Sequence, residues 1–377
     1  MKRFYPLALL AFAGFAAMTL GLTAQEGPKS TGSDPVARPR KKGTEPEPEQ
    51  QKIPSKFSKK GKEDAPPESA TFKADVTTVS VDIAVVDNKG NFIPKIPPGN
   101  FRILEDNVPQ KLGSFANSEA PMTVCLVVEF SNRYQQYYSE TWFQTLAATY
   151  GFVDTLRKDD AIAVVAYDLR SEILSDFTTD RMKTQEALQR LRIAAFSESN
   201  FYDALVDTAE RMQDIEGRKA IVVIASGVDT FSKLTFDKAR KRLQEAGVPI
   251  FAFGLMQSIR EIVDARGGMG SIQRLDFLQA DNQMRTFAKE TGGMSFFPRF
   301  YGEFPNIFRA ISESLRQQYS VTYAPSNQAR DGKYRKIKVE LVNPETNEPL
   351  RVVDQKGKPI KYTIIAKQGY TAPREVE

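Results

Sequence analysis

The sequence predicts an α/β protein in which a mostly parallel sheet carries helices on both faces, with a smaller β domain beside it. Between residues 122 and 318, short runs rich in Val, Ile and Ala alternate with longer segments of helical periodicity. On both sides of this region apolar and polar residues alternate with a period of two, which is typical of half-buried strands. Strands that alternate with helices favour a parallel sheet, because each helix returns the chain to the same edge of the sheet.

The first part of the chain is predicted to lie outside the folded domains. Two basic residues precede a largely apolar stretch over 5–22, and small residues precede Gln25, so residues 1–24 are predicted to be an export signal. The apolar stretch approaches the length of a membrane span, and an uncleaved anchor is therefore the alternative. Residues 25–68 are rich in Pro, Lys and Glu and are predicted to form a disordered linker. The folded part is expected to be secreted or periplasmic.

Residues 69–118 are predicted to form an N-terminal β segment. Apolar side chains alternate along its first strand at Val79, Val81, Ile83 and Val85. Turn residues follow at 87–91, and a second strand leads into a predicted turn at 105–107.

Residues 119–318 are predicted to form the α/β domain. Its predicted strands are 124–128, 161–167, 173–177, 220–224, 249–255 and 294–297. Four of its predicted helices are 138–156, 236–246, 275–291 and 302–318. A further helix is predicted to be capped by Thr179 or Asp180 and to run through Arg192, and another is predicted to be capped by Ser199 or Asn200. Residues 319–373 return to strand periodicity. Since an isolated β segment of that size is marginally stable, we expect it to pack with residues 69–118 as a β-sandwich.

The composition excludes the common routes to enzyme catalysis. The chain has no histidine and one cysteine, Cys125. It therefore has no imidazole base, no disulfide within the chain and no thiolate cluster for zinc. The formal net charge is +5, but basic and acidic residues are mixed rather than gathered on one face, so nucleic acid is not an expected partner. The chain is predicted not to be an enzyme.

Two apolar strands carry a family motif in altered form. The first runs into Glu129-Phe130-Ser131-Asn132-Arg133, and the second runs into Ala225-Ser226-Gly227. They resemble the von Willebrand factor type A domain, in which the first strand ends in Asp-x-Ser-x-Ser and a later one in Asp-Gly. In that family these residues form the metal-ion-dependent adhesion site, which holds a divalent cation through carboxylates and hydroxyls. The resemblance implies a von Willebrand A-type, Rossmann-like sheet.

The resemblance also implies that the metal site is degenerate. Glu129 stands for the first aspartate, Arg133 for the second serine and Ser226 for the later aspartate, whereas Ser131 matches a family serine and Ser199 a family threonine. Mg²⁺ prefers a tight octahedral shell of oxygen atoms, and Glu129 is one methylene too long for it. Arg133 would place a fixed cation beside the metal position. No metal is therefore expected. Alternatively, Glu129, Ser131 and Ser199 still hold Mg²⁺ or Mn²⁺.

Two readings of Arg133 remain open. In one, its guanidinium replaces the metal and pairs with Glu129 through a charge-assisted hydrogen bond. In the other, Arg133 points into solvent and Glu129 only caps a loop. Asp229 could supply a carboxylate through a shifted loop, but Asp168, Asp203 and Asp229 are each more typical of helix caps or loop acceptors.

The flanking β segments carry a second resemblance. Four segments look like the corresponding segments of the VWFA-related proteins of Acidobacteria: residues 81–87, 100–106, 332–339 and 367–370. The similarity spans residues 70–373 and implies export, but no established biochemical activity.

These observations predict an exported protein-interaction module. Ligands of open α/β sheets bind at the carboxyl ends of the strands. The predicted binding face consists of the loops at 129–134, 197–201 and 226–231, and Tyr134, Tyr137 and Tyr138 lie just past the first loop. The expected partner is another protein outside the cytoplasm; a membrane is expected only if the N-terminal segment is uncleaved. The alternatives are a metal-dependent adhesion module and a structural scaffold of the cell envelope.

Overall fold

The structure is a computed structural model that describes residues 78–88, 90–116, 121–130, 146, 149–191, 198–257, 260–261, 271–353 and 357–374. The chain divides into two compact units, Met1–Gln51 and Lys52–Glu377, and all described residues belong to the second unit. The predicted export signal and linker lie outside the described residues. The predicted boundaries near residues 118 and 318 stay predictions.

The central element is a six-stranded sheet with the order β10-β9-β8-β5-β6-β7. All its strand pairs are parallel except β6 with β7. This confirms the predicted mostly parallel sheet. The strands are β5 (Met122–Glu129), β6 (Ala161–Tyr167), β7 (Ser171–Thr178), β8 (Arg218–Ala225), β9 (Ile250–Gly254) and β10 (Ser295–Phe296).

Helices cover both faces of this sheet. The helices are α1 (149–155 as far as described), α2 (Arg181–Gln189), α3 (Phe201–Met212), α4 (Phe236–Ala246), α5 (Ser271–Thr291) and α6 (Phe304–Arg316). Successive side chains of β5 enter opposite cores: Leu126 packs in the core that includes α1 and α6, and Val127 in the core that includes α3 and α4. Burial on both faces explains why β5 is apolar without alternation.

The helix ends follow local chemistry, with some corrections. Asp180 caps α2 by accepting a hydrogen bond from the Met182 N–H, but the predicted extension through Arg192 is wrong, because α2 ends at Gln189. Asn200 takes the cap position of α3 without a side-chain cap bond. Helix α5 already includes Ser271, upstream of the predicted start at 275. A 3₁₀ turn, Tyr301–Glu303, precedes α6, so the predicted start of that helix at 302 is also corrected.

The flanking segments form two four-stranded antiparallel sheets with the orders β13-β1-β11-β4 and β14-β12-β2-β3. Both sheets combine strands from before and after the central sheet, and one apolar core contains residues of both. The strands are β1 (Val79–Asp87), β2 (Phe101–Glu105), β3 (Val108–Pro109), β4 (Leu112–Ala116), β11 (Tyr319–Tyr323), β12 (Tyr334–Leu341), β13 (Tyr362–Ala366) and β14 (Gly369–Thr371). A 3₁₀ turn, Pro98–Asn100, leads into β2.

A charged network lies inside these flanking sheets. The predicted turn at 105–107 is corrected: Glu105 ends β2 and is only 2% exposed, while Asp106 and Asn107 take the left-handed backbone of the turn. The Glu105 carboxylate lies 3.3 Å from the Arg335 guanidinium and accepts hydrogen bonds from the hydroxyls of Tyr323 (2.7 Å) and Tyr370 (3.0 Å). Burial and this carboxylate raise the pKa of Tyr370 to about 12. Each buried charge therefore has its partner.

Two further observations concern the single cysteine and the described helices. Cys125 is fully buried in β5, and burial raises the pKa of its thiol to about 12, so the thiolate is not accessible near neutral pH. Among the described helices, none has the length and apolar character that a membrane span requires.

Candidate functional site: the face at the carboxyl ends of the strands

The carboxyl ends of β5 and β8 are joined by a side chain. These strands pair in parallel, with Val128 opposite Ile224. Glu129, the last residue of β5, is 6% exposed, and its Oε2 accepts a hydrogen bond from the backbone N–H of Ser226 at 2.5 Å. This short charge-assisted bond anchors the carboxylate to the loop that follows β8.

The loop after β8 is a tight, buried turn. The Ser226 hydroxyl is buried and accepts a hydrogen bond from the Val228 N–H at 3.2 Å. Gly227 has φ +74°, and a Cβ at this position would lie 2.8 Å from Cγ of Met284 on α5. The positive φ favours glycine at this position, which accounts for Gly227 in the turn.

Ser199 is fixed through its backbone to the same loop. Its N–H donates to the Thr230 hydroxyl (2.9 Å), and its carbonyl accepts from the N–H groups of Thr230 (2.8 Å) and Phe231 (3.0 Å). The next residue, Asn200, donates its N–H to the carbonyl of Asp168 after β6 (2.9 Å). The loops after β6, before α3 and after β8 therefore form one connected surface.

Two buried oxygens on this surface have no hydrogen-bond partner in the described structure. They are the hydroxyl oxygen of Ser199 and the side-chain carbonyl oxygen of Asn200. A buried polar atom without a partner costs about 1–3 kcal/mol, so such atoms concentrate where a ligand, an ion or a water completes them.

The acidic side chains near this surface support loops and a helix. Asp229 accepts hydrogen bonds from the Tyr202 N–H (3.2 Å) and the Ser232 hydroxyl (2.5 Å). Burial raises the pKa of Asp229, and the hydrogen bond from Ser232 opposes that shift. Asp203 accepts from the N–H groups of Lys233 and Leu234, in agreement with its predicted role as a loop acceptor. Asp168 accepts a hydrogen bond from the Arg170 N–H within its own loop.

The central sheet and its helices match one family model. Residues 124–308 match the family described as von Willebrand factor type A domain. This part of the chain is a von Willebrand factor type A domain. No curated protein sequence matches the chain.

Several solved structures are similar to the chain. A von Willebrand factor type A protein from Catenulispora acidiphila has 11% identity and a TM-score of 0.41, and the match covers 80% of this chain and 76% of that one. The vWF domain of the type V pili tip protein Mfa5 from Porphyromonas gingivalis has 13% identity and a TM-score of 0.41, with coverage of 52% and 96%. Proximal thread matrix protein 1 from the mussel byssus, with a zinc-occupied MIDAS motif, has 12% identity and a TM-score of 0.41, with coverage of 56% and 49%.

Among the described residues of this domain, the donor set fits a divalent cation poorly. Within the described residues, no three Asp, Glu, Cys or His side chains converge. The carboxylate of Glu129 is bonded to the Ser226 N–H, and one oxygen of Asp229 faces the start of α3. A hard divalent ion needs several oxygen ligands, and the oxygens without a hydrogen-bond partner at the described positions of this face are the Ser199 hydroxyl and the Asn200 side-chain carbonyl.

The predicted site residues have different outcomes. The structure brings Glu129 and Ser226 into contact and connects Ser199 with the loop that carries Asp229. Ser131, Arg133 and the three tyrosines at 134, 137 and 138 lie outside the described residues.

Sequence reasoning missed Thr230 and Ser232 as the hydroxyls that hold Ser199 and α3 to the loop after β8. It also gave no weight to Phe231, which is 59% exposed on this face. A large apolar side chain in a polar loop was the available signal.

Proposed function

We propose that the chain is an exported protein-interaction module that binds a partner at the carboxyl-end face and requires no metal. The observation that carries it is the bond between Glu129 and the Ser226 N–H, because it uses one oxygen of the carboxylate that a cation would need and ties that side chain to the loop after β8. Domains of the von Willebrand A family generally act as interaction modules, which supports this role. We also propose export through residues 1–24 and a place among the VWFA-related proteins of Acidobacteria.

In this proposal Arg133 takes the place of the metal. The sequence sets it four residues beyond Glu129, and its fixed charge opposes a second cation at short range. No catalytic role is proposed, because the chain has no histidine and its single cysteine is buried with a raised pKa.

The metal requirement can be tested by melting the purified protein. For the wild type we expect the same melting temperature in EDTA, Mg²⁺, Mn²⁺ and Ca²⁺. The triple variant Glu129→Asp, Arg133→Ser, Ser226→Asp restores the family pattern, and we expect it to gain a saturable rise in Mg²⁺ or Mn²⁺. Binding stabilises the folded state by about 2.7 kcal/mol at a concentration of 100 Kd. The single variant Arg133→Ser is the matched intermediate.

A second candidate, the metal-dependent adhesion module, is favoured by the partnerless hydroxyl of Ser199. It predicts a saturating, Mg²⁺- or Mn²⁺-specific rise in the melting temperature of the wild type. That result would overturn the metal-free proposal.

The binding face can be tested by photo-crosslinking. We expect p-benzoylphenylalanine in place of Phe231 to form an adduct with a second protein in cells that express the chain, also when EDTA is present. Met182 is the matched control: it is 70% exposed, but it lies in the first turn of α2 just after β7, whose antiparallel direction places it at the opposite edge of the sheet. No adduct is expected from position 182.

The crosslinking experiment also separates the scaffold alternative. Val353 is 55% exposed in the C-terminal β segment. Adducts from position 353 with none from position 231 would mean that the flanking sheets make the contacts and that the von Willebrand A domain serves as a scaffold.

A further inference from the structure

A cavity of about 390 Å³ lies where the flanking sheets meet the von Willebrand A domain. It is at the amino ends of β8 and β9, the edge opposite to the candidate partner-binding face. Its wall includes Asp82 of β1, Lys219 at the start of β8, Pro249 before β9, Lys367 after β13, and Tyr370 of β14. A cavity of this size is in the range of small-molecule sites.

The charges in this cavity do not balance. Lys219 and Lys367 contribute two positive charges, and Asp82 is the one acidic residue among the described lining residues. The Lys219 ammonium donates to the carbonyls of Ile215 (2.9 Å) and Gln213, which leaves one of its three protons. The Asp82 carboxylate already accepts a hydrogen bond from the Ser320 hydroxyl.

Lys367 is the exceptional group. Within the described part of the chain, its ammonium makes no hydrogen bond and no ion pair. Burial lowers its pKa, the Asp82 carboxylate opposes that shift, and the Lys219 ammonium adds to it. Burial also lowers the pKa of Lys219. The two ammonium groups therefore share one cavity in which Asp82 is the one acidic residue among the described lining residues, while Asp214 also acts on Lys219 from outside that lining. An anion in the cavity would relieve the repulsion between the two ammonium groups.

The rest of the cavity wall is mixed: Thr78, Ser80, Thr291 and Thr371 contribute polar residues, and an apolar part lies beside them. Val79, Pro249 and Pro373 add apolar surface beside the Tyr370 ring. The connection that carries Lys367 is held against the end of α5, where the Gln368 N–H donates to the Glu290 carbonyl (3.2 Å). A cavity already formed before binding loses little entropy when it takes up a ligand.

We infer that this cavity binds a small organic anion whose carboxylate or phosphate group pairs with Lys367 and Lys219 and whose apolar body packs on Pro249 and Tyr370. This site is separate from the partner-binding face and does not depend on the function proposed for it. Because its walls come from both parts of the fold, the ligand would tie the flanking sheets to the von Willebrand A domain.

Titration calorimetry and melting of the whole protein with sodium benzoate, sodium phosphate and sodium chloride at equal ionic strength test this inference. We expect saturable binding of benzoate or phosphate and none of chloride. Stronger binding of benzoate would favour a ligand with a carboxylate on an apolar body, and stronger binding of phosphate would favour a ligand with a phosphate group. If both oxyanions behave as chloride does, the inference is wrong.

Three variants connect the binding to the cavity. Lys367→Met should weaken the anion at least about tenfold, since a charge-assisted hydrogen bond contributes about 1.5–3 kcal/mol. Asp82→Asn removes the opposing carboxylate and should bind the anion more tightly than the wild type does. Lys238→Met is the matched control, because Lys238 is exposed near the opposite end of α4.

Lys367→Met and Asp82→Asn together decide whether the anion binds in this cavity. Unchanged affinity in both Lys367→Met and Asp82→Asn would place the anion elsewhere and overturn the inference. If Lys367→Met does not fold, Asp82→Asn decides alone: it keeps an acceptor for the Ser320 hydroxyl, so its expected gain in affinity does not depend on the lysine variant.

Discussion

Replacing Arg335 by methionine should lower the free energy of unfolding by about 3–5 kcal/mol, because it leaves a buried carboxylate without its cation. Arg335 and Glu105 are 3% and 2% exposed at their side chains, and the guanidinium also donates to the carbonyls of Asn327 and Ala329. Urea unfolding of the purified protein measures the change, which should be a large fraction of the roughly 5–15 kcal/mol that stabilises a typical folded protein.

The exposed ion pair between Arg242 and Glu210 provides the matched control. Its side chains are 44% and 37% exposed, so Arg242→Met should cost no more than about 1 kcal/mol. The double variant Glu105→Gln, Arg335→Met should recover part of the loss, since it removes the unpaired charge and keeps an acceptor for Tyr323 and Tyr370. Equal effects of Arg335→Met and Arg242→Met would mean that the buried network contributes no more than a surface pair.

Replacing Gly293 by alanine should destabilise the von Willebrand A domain by about 3 kcal/mol. Gly293 follows α5 and is buried against the first residue of β9. An added Cβ would lie 2.5 Å from the carbonyl carbon and 3.0 Å from the nitrogen of Ile250. Both are backbone atoms, so no side-chain rotation relieves the clash, and the end of α5 must move away from the sheet. Thermal and urea unfolding measure the loss.

Gly151→Ala is the control for this glycine. Gly151 is exposed in α1, and an added Cβ would meet no atom within 4 Å. Alanine favours a helix over glycine by about 0.5–1 kcal/mol, so this variant should be slightly more stable than the wild type. A Gly293→Ala protein as stable as Gly151→Ala would contradict the close packing of α5 against β9.

The fold was predictable from the sequence because its signals are local. The apolar run of β5, the alternation along β1 and the Gly247 stop after α4 each depend on a few neighbouring residues. The candidate face was predictable in part for the same reason. Glu129 and Ser226 each follow an apolar strand, and carboxyl ends of neighbouring parallel strands meet at one edge of the sheet.

The pairings were not predictable. Glu105 was assigned to a turn because two turn-forming residues follow it, yet it is the buried partner of Arg335, 230 positions away. The cavity at Lys219 and Lys367 was not predictable for the same reason, because its walls come from segments that are far apart in the sequence.

The sequence by itself determined the succession of strands and helices along the chain, the two-sided burial of the central sheet and the altered residues of the metal motif. Only the tertiary structure decided that the Glu129 carboxylate bonds to the Ser226 N–H, that the Ser199 hydroxyl has no partner within the described residues, and that Lys367 shares a cavity with Lys219. The physical reason is distance along the chain. Periodicity and capping act within a few residues, whereas a buried charge finds its partner only when remote strands have taken their places in a sheet.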